Sequence, residues 1–152
     1  MTASDTEVRV VGPEASELLA ALYAECLSPA WSAATIASLL SSPGGHGWIA
    51  AVGERPVGLA LIREAADEAE ILAIGVLPSE RRKGVGRALL SALTAYCAAH
   101  HLSRLFLEVA KSNVAARHTY ETVGFRPVGH RRNYYRSKSC VEDAIVMRLN
   151  IV

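Results

Sequence analysis

The stretch from Ile71 to Arg87, Ile-Leu-Ala-Ile-Gly-Val-Leu-Pro-Ser-Glu-Arg-Arg-Lys-Gly-Val-Gly-Arg, has the makings of an anion site. An apolar strand runs into a basic, glycine-bearing turn, and the turn opens a long helix. At a helix start the first backbone N–H groups lack partners and the dipole is positive, so negative charge is held there. Gly84 and Gly86 remove side chains that would keep a phosphate away from the backbone. Arg81, Arg82, Lys83 and Arg87 add positive charge around it. Neither familiar nucleotide loop fits. Walker A needs Gly-Lys-Ser/Thr, and here Lys83 precedes Gly84; the dinucleotide fingerprint needs a third glycine where this chain has Leu89. Taken alone, the turn reads equally well as a basic helix start in solvent.

Farther along, Glu108 stands inside the apolar run Leu105–Val109. On a strand it shares a face with Phe106 and Ala110, opposite Leu105, Leu107 and Val109. A carboxylate there is unusual without a partner or a task; an arginine that satisfies it is the plainer reading. Asn113 and Tyr120 lie seven apart on the helix expected over Asn113–Val123. That is about 700° of rotation, so both face nearly the same way and could meet one ligand channel. Asn113 also suits the helix N-cap, and Tyr120 could be a core aromatic.

These groups need a scaffold. Thr6–Val11 alternates as a first strand. Gly12-Pro13-Glu14 starts a helix, and Ser32 caps a second that runs to about Leu40. Ser42 to His46 reads as a loop. Trp48–Val52 and Pro56–Ile62 form a hairpin about Gly53-Glu-Arg, and Glu70–Leu77 is a further apolar strand. Val85, Leu89, Leu93 and Tyr96 make a helical stripe over Gly84–His100. Leu105–Val109 is a strand, Gly124 a left-handed cap for the helix before it, and Phe125–Gly129 and Ala144–Leu149 two last strands. The sum is α/β: one domain over residues 1–152, a mixed and mostly antiparallel sheet flanked by about four helices.

Bulk properties narrow the function. A formal charge of +1 argues against nucleic-acid or membrane electrostatics, although Arg126, Arg131, Arg132, Arg136 and Lys138 form a basic run. Such a run is usually a solvated face. Cys26, Cys97 and Cys140 are widely spaced and include no CxxC, which favours a reducing compartment. Cys97, on the long helix, reads as core. The histidines (His46, His100, His101, His118 and His130) include no metal-binding spacing, so no metal is expected. His100 and His101 suit a helix C-terminus. With no basic leader and no apolar run of about 18 residues, neither export nor a membrane span is expected, and the cytoplasm is the expected location.

The motifs taken together resemble one family. Arg81-x-x-Gly84-x-Gly86 after such a strand resembles the pyrophosphate motif of the GNAT superfamily of acetyl-CoA-dependent acetyltransferases. Leu107-Glu-Val, Ser112-Asn-x-x-Ala and Tyr120-Glu-x-x-Gly-Phe125 resemble its bacterial ribosomal-protein-alanine N-acetyltransferases, as do Arg131-Arg-Asn-Tyr-Tyr135 and Glu142-Asp-Ala-Ile-x-Met147. The likeness covers roughly residues 65–149; before that, only element order and Trp31-Ser32 match.

The resemblance implies a site. Ile74, Gly75 and Val76 would bind the pantetheine arm and acetyl carbonyl; Arg81, Arg82, Lys83, Gly84, Val85, Gly86 and Arg87 would hold the pyrophosphate, and Asn113 would touch coenzyme A. Glu108 would be the proton acceptor, Tyr120 the proton donor, and Tyr134 and Tyr135 a loop gripping the acceptor's backbone. The implied reaction is direct acetyl transfer from acetyl-CoA, without metal, to the N-terminal α-amine of a protein, with a ribosomal protein as the acceptor the subgroup suggests. A small amine or lysine acceptor would use the same base and acid. A non-catalytic acyl-CoA-binding module would keep the turn but has no need of Glu108 and Tyr120.

Overall fold

The computed structural model describes residues 5–136 and 141–151. The elements follow the expected order: β1 (Thr6–Val11), α1 (Ser16–Cys26), α2 (Ala33–Ser41), β2 (Gly45–Val52), β3 (Arg55–Ala65), β4 (Glu68–Val76), α3 (Val85–Ala99), β5 (Arg104–Ala110), α4 (Val114–Val123), β6 (Arg126–Arg136) and β7 (Val141–Asn150). Short 3-10 turns at Pro13–Ala15 and Pro78–Glu80 lead into α1 and the basic turn.

Local chemistry sets the boundaries. The Ser32 side chain accepts the Thr35 N–H at 3.1 Å, capping α2. Gly124 ends α4 at φ 119° and donates to the Tyr120 and Glu121 carbonyls, so Phe125 turns back under the helix fully buried. β2 starts earlier than expected, at Gly45. A Cβ at Gly45 would stand 1.9 Å from the Leu39 carbonyl oxygen, so only glycine lets the strand leave α2 this closely.

β6 and β7 also extend well beyond the predicted Phe125–Gly129 and Ala144–Leu149. Register shifts between Pro127 and Gly129 and between Arg131 and Tyr135 break the alternation from which strands are read. The Tyr134–Tyr135 segment, expected as a loop, therefore lies within β6.

The seven strands form one sheet in the order β1-β2-β3-β4-β5-β7-β6. Every neighbouring pair is antiparallel except β4 and β5, which are parallel. On one face α1 and α2 bury Leu19, Leu22 and Ile36 against Leu59 and Leu61. On the other, α3 buries Leu89, Leu90 and Leu93 against Ile62, Leu105 and Leu107, and Tyr120 of α4 packs at the margin. β2 is buried almost throughout, and β3 from Val57 to Ile62, because both of their faces are covered there. Cys97 is core, as expected; burial pushes its thiol up to about 11. Tyr96 anchors the far end of α3, its hydroxyl donating to Glu64 at 3.1 Å beside His46.

Candidate active site

The β4–β5 pairing spans only Glu68–Glu70 against Arg104–Phe106. Beyond it the strands separate, and their facing backbone edges no longer serve each other. The Leu77 N–H reaches the Val57 carbonyl at 2.8 Å, which fixes the alternation along β4. Ile74 and Val76 therefore turn their backbone groups away from β3, toward the gap. A cleft of about 670 Å³ occupies this gap. Cys26 and Leu27 from the end of α1 line it, and so do Asn113 and Tyr120 from the opposite side. The cleft thus passes through the sheet, from the α3–α4 face to the α1 face. Gly75 holds the α1 end close: a Cβ there would be 2.8 Å from the Cys26 Cβ.

At the α3 end the cleft is walled by the basic turn: Arg81, Arg82, Gly84, Val85, Gly86 and Arg87 all line it. Arg82 (φ 64°) and Gly84 (φ 89°) take left-handed backbone, which curls the main chain so that successive N–H groups converge. No side chain caps α3, so the amides of its first turn have no partner four residues back. Around Gly86 a Cβ would find its nearest neighbour, Val76 Cγ2, at 4.0 Å, so internal packing does not demand glycine here. Free space at a helix start beside arginines is what an anionic ligand needs.

Arg81 has a different task. Its Nε donates to the Val76 carbonyl at 3.1 Å and its Nη2 to the Cys26 carbonyl at 3.3 Å, tying β4 to α1. Lys83 lies outside the lining and pairs with Glu80 at 3.6 Å. Glu80 is nearly buried; the hydrogen bond from Arg55, at 2.9 Å, is the main reason its carboxyl sits below the ordinary range.

Asn113 is both cap and lining: its Oδ1 accepts the Ala116 N–H at 3.2 Å while the residue borders the cleft. Tyr120 also meets both readings, half-buried against Phe125 (ring centroids 5.8 Å apart) and lining the cleft. Glu108 does not line it. Its neighbours Leu107 and Val109 enter the α3-side core, so its side chain lies on the α1 face. There it accepts a 2.7 Å hydrogen bond from Arg131 Nη1, and the Arg131 guanidinium lies 4.7 Å from the Tyr134 ring centroid. The Tyr135 side chain, Lys138 and Cys140 lie outside the described residues.

Reading the sequence missed Glu80 and several lining residues: Cys26, Leu27, Ala116 and Thr119 among them. The α4 residues had a signal, since Ala116 and Tyr120 follow Asn113 at helical spacing. Cys26 and Leu27 had none, because only the tertiary fold brings α1 to the gap. Among the described residues no group of three or more His, Cys, Asp or Glu side chains is arranged to hold a metal, and no helix is long and apolar enough to cross a membrane.

A parallel pair splayed over a through-sheet cleft, with an uncapped basic helix start at one end, is the architecture of an acyl-coenzyme A transferase fold, and residues 16–125 match the Acetyltransferase (GNAT) family. The chain belongs to that family. Within it, the chain is 42% identical over 92 residues to the [Ribosomal protein bS18]-alanine N-acetyltransferase of Escherichia coli, a match covering 60% of this chain and 62% of that one. It is 38% identical over 122 residues to the N-alpha-acetyltransferase RimI of Mycobacterium tuberculosis, covering 78% and 74%. The crystal structure of the ribosomal-protein-S18-alanine N-acetyltransferase from Escherichia coli superposes with a TM-score of 0.89 at 30% identity, over 96% of this chain and 94% of that one.

Proposed function

We propose that this protein transfers acetyl from acetyl-CoA to the N-terminal α-amine of a protein, a ribosomal protein being the favoured acceptor. The observation that carries this is the through-sheet cleft, which has the basic, uncapped helix start at one end and opens at the other onto the sheet face that carries Glu108. The acceptor class is supported by two relatives named for α-amine acetylation and by the Arg131–Tyr135 segment beside Glu108. A protein acceptor of this kind and acetyl-CoA meet in the cytoplasm, which is the proposed location.

The residues fit the donor. Amides at the start of α3, with Arg82 and Arg87, suit a diphosphate; the edge of β4 at Ile74–Val76, turned away from β3, suits an amide-bearing arm laid alongside it like a strand. Acetyl-CoA supplies a thioester carbonyl open to attack. The Val76 N–H is directed to stabilise the charge that develops on that carbonyl oxygen. An ammonium has no lone pair, so the acceptor must first lose a proton. With an α-amine pKa of about 7.7–8.0, a carboxylate suffices, directly or through water, and Glu108 takes this proton. As the new C–N bond forms and the C–S bond breaks, Tyr120 gives a proton to the departing sulfur. The nitrogen, cationic after attack, sheds its second proton, which replaces the one Tyr120 gave up, and Glu108 returns the first to solvent. The products are an amide and a free thiol.

Coenzyme A release should be measured with a panel of N-terminal peptides, lysine-bearing peptides blocked at the N-terminus, and small amines. Release with free N-termini is the expected result, greatest with alanine first. Release only with lysine or small amines would reject the acceptor, and binding of acetyl-CoA without turnover of any amine would reject the enzyme.

A further inference from the structure

Arg131 is absent from the proposed chemistry, yet it donates a short hydrogen bond to the carboxylate that the chemistry uses. Its Nη1 is 2.7 Å from Glu108 Oε1. The two partners differ in freedom: the Arg131 side chain is 54% exposed, the Glu108 side chain only 19%. Arg131 is also held from below. β6 breaks register with β7 between Arg131 and Tyr135, and within that break Asn133 takes left-handed backbone, φ 53°. The Asn133 N–H donates to Asp143 Oδ1 at 2.8 Å, and the other oxygen of Asp143 meets His130 Nε2 at 2.8 Å. One carboxylate on β7 thus pins β6 on both sides of Arg131. The Tyr134 ring then lies against the guanidinium at 4.7 Å. A strand bent and fastened in this way presents one cation at a set place.

We infer that Arg131 is a positioning residue for Glu108: its ion pair fixes the carboxylate on the acceptor face, and the incoming amine displaces it. This rests on Glu108 being the proton acceptor. The geometry gives the reason for an exchange. A guanidinium N–H at 2.7 Å occupies a lone pair of the carboxylate, and an ammonium approaching the same oxygens competes for them. The cation that yields is the exposed one, and the Tyr134 ring gives it a surface to slide along. Glu108 therefore never stands on the acceptor face without a cation beside it. It passes from one cation to the next, and its position is set before the acceptor arrives.

Steady-state acetylation of an N-terminal peptide, with acetyl-CoA affinity measured separately, tests this in Arg131→Met, Arg131→Lys, Glu108→Gln and Arg131→Met/Glu108→Gln. Loss of one charge-assisted bond should lower kcat/KM for the peptide about tenfold in Arg131→Met and leave acetyl-CoA affinity unchanged. Arg131→Lys should recover most of that loss, and it keeps the test open if methionine disturbs β6. The double variant should be no slower than Glu108→Gln alone, because Arg131 acts only through Glu108. Wild-type kcat/KM in Arg131→Met, or losses that add in the double variant, would overturn the inference while leaving Glu108 as the base. Wild-type turnover in Glu108→Gln would remove the base assignment itself, and the inference with it.

Discussion

Glu108 is an arginine-paired carboxylate, the plainer of the readings the sequence left open, and in the proposed reaction it is also the base. The Arg131 pair makes the carboxylate tolerable on an otherwise apolar strand. Chemistry explains why it is not an isoleucine. Glu108→Gln keeps the size and the hydrogen bonding but cannot take a proton. At neutral pH its kcat should fall by about 10²–10⁴, the usual contribution of a general base, with acetyl-CoA affinity intact. Activity should return in part as pH rises past the amine's own pKa of about 7.7–8.0, since the acceptor then arrives deprotonated. A pH series of initial rates, variant against wild type, checks this.

At the scale of elements, the turn into α3 shows how much was legible and why. The strand, the glycines and the long amphipathic helix are local signals, and they locate the uncapped helix start that lines the cleft. What the sequence could not assign was the division of labour among its cations. Arg81 turns inward to the Val76 and Cys26 carbonyls and Lys83 to Glu80, while Arg82 and Arg87 line the cleft. Those partners lie on α1 and a 3-10 turn, and no local spacing reveals them. The β6 bulges were hidden for a related reason, since an inserted residue erases the period-two pattern. The two glycines also part company. Gly84→Ala puts a side chain at φ 89°, which costs about 1 kcal/mol or more, so both the melting temperature and acetyl-CoA affinity should drop. Gly86→Ala has room, its nearest neighbour being 4.0 Å away. The melting temperature should hold while acetyl-CoA affinity alone falls, as titration calorimetry beside thermal melts would reveal.

Over the whole molecule, acid should loosen the cofactor end and the acceptor end together. Arg55's hydrogen bond, aided by Lys83, lowers the Glu80 carboxyl; the Asn133 N–H, aided by His130, lowers that of Asp143. Each is depressed in the folded chain, so the stability each contributes is complete above its ordinary value (4.5 and 3.8) and is lost as pH falls through the lowered one. Wild type should therefore melt above Glu80→Gln at neutral pH, and the gap should close on acidification below pH 4.5, as melts across a pH series would record. The sheet itself carries a last implication. Its two halves, β1–β4 and β5–β7, meet in a parallel seam of three residue pairs. The seam is backed by the Ser103 N–H on the Asp67 carbonyl at 2.6 Å and by Arg104 between Asp67 and Glu68. It works as the rivet of a pair of tongs. The splay of β4 from β5, and so the width of the cleft between them, begins where those three pairs end.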